Sequence, residues 1–406
     1  MNKELPPPPD RMHTIGLDKP GWSKTAENLR FSIIREMSLS AARLDNVINL
    51  GIGEPDFITP ETITRAAFAD ALEGHTHYTP SQGDPQLLAR LSQTIKEMSG
   101  MEVPATSILI THGGMGALTC ALRTLLNSGD QIILLEPHFP DYMAHVALAD
   151  GEAVKVPCRF EDHYIPRPEL IERAVTEKTR AIVLNSPNNP TGAIIPGKIL
   201  DSIAEIARRQ NLFVVSDEVY DQIIFEPPFE SIYSRPDMPA RTLVIKSFSK
   251  SYAMTGWRVG YCYGPQSFIG QMLKVVNYST SCSSSVSQRA ALAALSLDPC
   301  VIKEMTERFA GRIDMVCSRL QNMSGIKVHK PKGSFYILAD ISELTDDSQE
   351  FATRLLREAR VVVIPGYAFG EAGEGSVRIA CTHPREVLRD AMDRIESFVE
   401  TYHTRR

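Results

Sequence analysis

Leu243-Val244-Ile245-Lys246-Ser247-Phe248-Ser249-Lys250-Ser251-Tyr252-Ala253-Met254-Thr255-Gly256-Trp257-Arg258-Val259-Gly260 runs from an apolar stretch to a lysine between serines and then to an arginine between glycines. The apolar start reads as a buried strand, and the residues just beyond such a strand open on the crevice where α/β sheets bind ligands. Lys250 is either a plain surface charge or, if its pKa is depressed there, a Schiff-base nucleophile. Working outward, similar runs occur at Ser107–Thr111, Gln131–Leu135, Ala153–Val156, Ala181–Leu184 and Leu212–Val215. Between them, Met115–Leu126, Asp141–Ala149, Arg167–Ala174 and Lys198–Arg209 have the patterning of crossover helices. This alternation predicts an α/β fold, a mainly parallel sheet sandwiched by helices.

After Asp298 the texture changes. A long helix (Ile302–Gln321), a strand (Ser334–Ala339), a helix (Ser348–Glu358), strands at Val361–Ile364 and Val377–Ala380 and a closing helix (Pro384–Tyr402) predict a smaller α+β domain. Ahead of the globular part, Pro6–Pro9 predicts an extended arm, because proline fixes φ and offers no amide to a ladder.

Composition narrows the function. The 406 residues are 43% hydrophobic and 23% charged, ordinary for a globular protein of two or three domains. With 43 Lys+Arg against 49 Asp+Glu the net charge is -6 and no basic run stands out, which argues against a nucleic-acid partner. Apolar stretches fall far short of a membrane span, and the amino terminus has no secretory or Arg-rich targeting pattern, so no membrane partner and a cytoplasmic location are expected. Seven scattered cysteines without a CxxC pair argue against disulfides and zinc, and His75 and His77 have no evident third metal ligand.

Three further motifs follow predicted strands. Gly113-Gly114-Met115-Gly116 opens a helix, where glycine lets the backbone approach a ligand and free amides favour an anion such as phosphate. The same residues form a broken dinucleotide fingerprint, with Thr119 where a third glycine belongs and Glu136 about 20 residues on, so a nicotinamide- or flavin-binding protein is a rival reading. Asn185-Ser186-Pro187-Asn188-Asn189-Pro190-Thr191-Gly192 is either a stiff loop aiming Asn188 and Asn189 at the crevice or a simple turn. In Ser216-Asp217-Glu218-Val219-Tyr220 a desolvated Asp217 requires a cation or strong donor, unless Ser216 or Asp217 merely caps a helix.

Taken in order, and with Asn49-Leu50-Gly51-Ile52-Gly53-Glu54-Pro55-Asp56-Phe57 and Tyr78-Thr79-Pro80-Ser81-Gln82-Gly83, these motifs resemble the class I aminotransferases of the pyridoxal-phosphate fold-type I superfamily, in their aspartate-aminotransferase-like branch. The resemblance runs from about Asn49 to Ala380. It implies an arm over residues 1–30, a large cofactor-binding domain over 55–297 and a small domain formed by 31–54 with 298–406. It implies pyridoxal phosphate as cofactor, held by Lys250 as an internal aldimine, with Lys250 then moving the proton at the substrate's α-carbon. Asp217 would face the pyridine nitrogen, and Tyr220 and Asn189 the phenolic oxygen. Phe139 would stack on the ring. The Gly114 and Met115 amides, Ser247 and Arg258 would hold the phosphate, and Tyr78 would reach the phosphate of a neighbouring subunit, which implies a homodimer. Arg378 would clamp the substrate carboxylate, with Gly53 and Asn189 beside it; its bland alternative is an edge-strand surface charge.

The resemblance therefore implies ping-pong transfer of an amino group from an L-amino acid to a 2-oxo acid, with 2-oxoglutarate as the expected acceptor. A lyase or decarboxylase of the same fold would use the same residues, and a non-catalytic cofactor-binding protein is a further alternative. No arginine able to read a substrate side chain is identified in Ser279–Ser285, and His112 and His138 are left unassigned.

Overall fold

Short β-branched runs bounded by turns become strands because they bury both faces at once, which a surface helix of that length cannot do. The structure, a computed structural model, describes residues 21–226 and 228–402. After β1 (Ile48–Asn49) come the strands of the large sheet: β2 (Ile108–Thr111), β3 (Gln131–Glu136), β4 (Glu152–Pro157), β5 (Thr179–Asn185), β6 (Phe213–Asp217), β7 (Thr242–Ser247) and β8 (Gly260–Tyr263). Their order is β2-β8-β7-β6-β5-β3-β4. Every neighbouring pair is parallel except those made by β8, which runs antiparallel to β2 and β7. The mainly parallel sheet is as predicted, but β8 was not: Gly260-Tyr261-Cys262-Tyr263 has no apolar run to mark it, and only its place between two strands makes it one.

Helices cover both faces. Gly113–Leu125, Asp141–Leu148 and Gln266–Ser279 pack Leu118, Leu122, Tyr142, Val146 and Met272 against Leu109, Leu134, Val215 and Leu243. Pro168–Ala174 and Gly197–Arg209 cover Ile133, Ile182 and Val214 on the opposite face. Register places Asn185 opposite Asp217, and Asp217 opposite Ile245, two residues before Ser247. The carboxyl ends of β5, β6 and β7 therefore open along one edge.

The carboxyl-terminal part forms a second core. Strands β9 (Lys327–Val328), β10 (Tyr336–Asp340), β12 (Ile364–Pro365) and β13 (Ser376–Ala380) make an antiparallel sheet in the order β12-β13-β10-β9. The strand expected over Val361–Ile364 is two: β11 (Val361–Val362) pairs in parallel with β1, and β12 pairs with β13. Val363 is the break, so one apolar run serves two sheets. Helices Pro299–Gln321, Ser348–Ala359 and Arg385–Thr401 pack Ile313, Leu355 and Ile395 into this core, joined by Met37 and Ala41 of helix Ile33–Ala41. The long helix starts before Ile302 because Asp298 accepts the Cys300 amide at 2.9 Å and Pro299 occupies the first turn, where its missing amide costs nothing.

Residues Met1–Arg30 and Phe31–Arg406 are separate units. The expected proline arm lies outside the described residues. Where the arm is described it is not wholly extended: Lys24–Asn28 is a helix, capped by Ser23, whose hydroxyl accepts the Ala26 amide at 3.2 Å. Among the described residues no helix is long and apolar enough to cross a membrane.

Candidate active site

Strand β7 ends at Ser247, whose hydroxyl accepts the Ser249 amide at 3.2 Å and so caps the short helix Phe248–Ser251. That turn lifts Lys250 into a cavity of about 620 Å³ above the strand ends. The Lys250 amine donates to the Gly53 carbonyl at 2.6 Å. Burial lowers its pKa from 10.5 to about 8; the Glu54 charge opposes the shift, and the Arg258 and Arg378 charges add to it. An amine with a pKa near 8 is in part neutral at physiological pH, the form that attacks a carbonyl. Gly53 is required beside it, since a Cβ there would collide with the Tyr336 hydroxyl.

Asp217 closes β6 on the same cavity. Burial raises its carboxyl pKa to about 6, even though it accepts the Tyr142 hydroxyl at 2.6 Å and the Val219 amide at 3.3 Å, both of which favour the charge. No helix follows it, so the capping alternative falls; Ser216 instead donates to Glu218 at 2.9 Å. Tyr220 turns in from the next loop, its hydroxyl 3.2 Å from that of Tyr336. Asn185 fixes this corner by donating to the Asp217 carbonyl at 3.0 Å and accepting the Asn189 amide at 2.8 Å.

Arg378 lies in β13, between β10 and β12, and is 1% exposed, so the edge-strand alternative is overturned. Its guanidinium is sandwiched 4.6 Å from the Tyr336 ring and 4.9 Å from the Phe369 ring. It donates to the Asn189 side-chain oxygen at 3.0 Å and to the Gly51 carbonyl, while its Nε has no partner. A buried cation held only by neutral acceptors lacks an anion, and a substrate carboxylate supplies one. Gly53, expected beside the carboxylate, lines the same cavity, and its carbonyl accepts the Lys250 amine.

At the other end, helix Gly113–Leu125 points its amino terminus at the cavity without a side-chain cap. Gly114 and Met115 line the cavity with Ser247, Ser249 and Arg258. Gly113 has φ +68, and a Cβ there would approach the Arg258 guanidinium to 2.8 Å, so glycine lets the cation sit over the helix end. Open amides, two hydroxyls and an arginine form a phosphate cradle. Cradle, partly neutral amine and carboxylate fit the phosphate, aldehyde and ring nitrogen of pyridoxal phosphate.

Phe139 lines the cavity, edge-on to Tyr142 with ring centroids 5.8 Å apart. Tyr78 does not: it is 90% exposed at the surface of this chain. Asn188, expected to face the crevice, folds back, its side-chain oxygen accepting from the Thr191 amide and hydroxyl. Glu136, the carboxylate of the dinucleotide alternative, is buried beside Lys155 at 3.5 Å and is absent from the cavity wall, which removes that fingerprint's ribose contact. No residue of Ser279–Ser285 lines the cavity, nor do His112 and His138. Sequence reasoning missed Tyr142 and Tyr336, which support Asp217 and Tyr220, and it missed the rim supplied by helix Ile33–Ala41 and Asp141. Those residues belong to no motif, and only folding brings them together.

Residues 45–395 match the family model described as aminotransferase class I and II. Among curated relatives, the aspartate aminotransferase of Pyrococcus horikoshii is 39% identical over 376 residues, 92% of this chain and 95% of that protein. The aromatic-amino-acid aminotransferase 2 of Thermococcus litoralis is 37% identical over 93% of this chain and 98% of its own length. Among solved structures, aspartate aminotransferase from Thermus thermophilus with maleate superposes with a TM-score of 0.89 at 34% identity, covering 93% of this chain and all of that one.

Proposed function

Because the chain belongs to the class I and II aminotransferases, and is a pyridoxal-phosphate-dependent aminotransferase of fold type I, we propose that it transfers the amino group of an L-amino acid to 2-oxoglutarate by a ping-pong cycle centred on Lys250. The observation that carries this reading is one cavity that brings together an amine of lowered pKa, a carboxylate and a buried guanidinium without an anion. Bound pyridoxal phosphate supplies an aldehyde to receive the amino group and a ring that accepts electrons from the substrate's α-carbon.

The remaining chemistry belongs to the protein. Lys250 would anchor the cofactor and would be the base placed to take a proton from the α-carbon of a bound substrate. Asp217 would hold a proton on the ring nitrogen by its charge. Tyr142 keeps Asp217 oriented toward the cavity. Tyr220 and Asn189 would donate to the phenolic oxygen, and Phe139 would cover the ring face. The Gly114 and Met115 amides, Ser247 and Arg258 bind the phosphate. Arg378 would fix the α-carboxylate with two parallel hydrogen bonds, supported by Asn189 and by the loop of Gly53.

A homodimer completes this reading. Tyr78, Tyr278 and Leu72 are each at least 90% exposed, and the loop of Tyr78 is tied to helix Gln266–Ser279 by the bond from Ser81 to Asn277 and to helix Ser285–Ala294 by that from Gln288 to Thr79. Large exposed side chains of this kind suit a partner surface, from which Tyr78 would reach the neighbouring phosphate. The large domain would span 55–297 and the small domain 31–54 with 298–406, a division supported by the two sheets and their separate cores. A cytoplasmic location fits seven free cysteines, as reducing compartments favour.

The test is the visible spectrum of the holoenzyme mixed with single amino acids and no acceptor. Loss of the cofactor's visible band with some donors, and its return on adding 2-oxoglutarate, is expected. A band that persists while ammonia or carbon dioxide accumulates would replace transamination with lyase or decarboxylase chemistry.

A further inference from the structure

A phenol hydroxyl carries one hydrogen and can accept two. The reading above gives the Tyr220 hydrogen to the cofactor's phenolic oxygen, yet the Tyr220 hydroxyl also lies 3.2 Å from that of Tyr336. Both side chains line the cavity, and among the described residues neither hydroxyl makes another hydrogen bond. Tyr336 is 2% exposed in β10, its ring edge-on to that of Tyr220 at 83° with centroids 5.7 Å apart. Gly53 leaves the space in which the Tyr336 hydroxyl stands. The Arg378 guanidinium lies over the same ring at 4.6 Å, and a cation there makes the hydroxyl a better donor. Burial raises the pKa of both hydroxyls; the Arg378 charge opposes the rise chiefly at Tyr336, and the Asp217 charge adds to it at Tyr220.

One hydrogen cannot serve two acceptors well, so Tyr220 can donate fully to the cofactor only if Tyr336 is the donor between them. We propose that Tyr336 is a positioning residue: its hydroxyl donates to Tyr220 and so turns the single Tyr220 hydrogen toward the phenolic oxygen. The inference rests on the transaminase reading and adds a residue to it. Two hydroxyls in series polarise one another, so Tyr220 donates more strongly than a lone tyrosine would. That bond favours negative charge on the phenolic oxygen, which lowers the pH at which the bound cofactor takes up a proton. The opposite arrangement, with Tyr220 donating to Tyr336, would turn the Tyr220 hydrogen away from the cofactor and reverse the effect of removing Tyr336.

The experiment is a pH titration of the visible band of the cofactor-loaded enzyme, without substrate, in four proteins: wild type, Tyr336→Phe, Tyr220→Phe and the double variant. Phenylalanine keeps each ring and removes only the hydroxyl. Tyr220→Phe should raise the midpoint by about one pH unit, and Tyr336→Phe by roughly half of that. The double variant should match Tyr220→Phe, because Tyr336 acts only through Tyr220. In Tyr336→Phe the affinity for an amine-free carboxylate, 3-phenylpropanoate, should stay within about twofold, since the ring under Arg378 is kept. A midpoint that falls or does not move in Tyr336→Phe would overturn the proposal, as would an equal shift when that change is made on top of Tyr220→Phe. A loss of 3-phenylpropanoate binding without a shifted midpoint would overturn it too, placing Tyr336 with the carboxylate clamp alone. A wild-type protein with no visible band after adding pyridoxal phosphate would instead defeat the transaminase reading, and is seen before any variant is compared.

Discussion

Replacing Lys250 with methionine should abolish turnover and, in the cofactor-free protein, raise stability near neutral pH. An unfolded lysine titrates near 10.4, whereas burial in the cavity lowers Lys250 to about 8. Between those two values the unfolded chain holds a proton that the folded one has released, so stability rises with pH across that window. The penalty is fully present below about pH 8 and gone above the unfolded value. At pH 7 a shift of this size corresponds to about 3 kcal/mol, an upper figure because the amine is partly exposed. Methionine also removes the hydrogen bond to the Gly53 carbonyl, worth about 1 kcal/mol. The net gain should be about 2 kcal/mol at pH 7, turning into a loss of about 1 kcal/mol near pH 10.5. Urea unfolding of both apoproteins at these two pH values and one fixed protein concentration measures it, the concentration being fixed because a dimer's stability depends on it. A variant less stable than the parent at pH 7, or a difference that does not change with pH, would refute the claim that Lys250 is held desolvated for reactivity at the expense of stability.

Arg378→Lys should raise KM for every amino acid donor by roughly a hundredfold, about 3 kcal/mol, since the fork is lost and a desolvated carboxylate is left poorly paired; a loss confined to one class of side chain would make it a side-chain reader instead. Tyr142→Phe removes the hydroxyl that favours the Asp217 charge. The carboxylate's attraction for the cofactor should vanish as pH falls through about 6 in the parent and at a higher pH in the variant, which cofactor affinity measured against pH will show. Gly53→Ala drives a methyl into the Tyr336 hydroxyl and should lower stability by about 1 to 3 kcal/mol in thermal unfolding; an unchanged melting temperature would mean that this loop yields.

The parts of this molecule that could be read in advance are those where one local pattern carries one physical demand. Strands such as Ile132–Leu135 bury both faces and so announce themselves, and Asp217 ends a strand while Lys250 and Asn189 lie a few residues beyond one, where an open sheet presents its ligand edge. What escaped depends on long-range packing. Strand β8 is a strand only because β2 and β7 flank it, and Val361–Ile364 divides because two different partners claim its two ends. Asn188 and Asn189 are chemically equal in the sequence, yet one closes its own turn on Thr191 while the other meets Arg378, a residue remote in the chain. Tyr142 carries no motif because its role comes from Asp217, which it meets across the cavity.

The position of Arg378 bears on how substrate binding and geometry are linked. It belongs to the small sheet, yet its guanidinium bonds to Asn189 beyond β5 of the large sheet and to Gly51 of the loop that carries Gly53. Gly53 in turn accepts the Lys250 amine, and Lys250 belongs to the large sheet. One chain of contacts therefore runs from the carboxylate clamp to the reactive amine through groups anchored in separate cores. A carboxylate arriving at the unpartnered Nε of Arg378 neutralises a charge that now contributes to lowering the Lys250 pKa. The amine should then bind its proton more readily, which suits a group that must next accept one from the α-carbon.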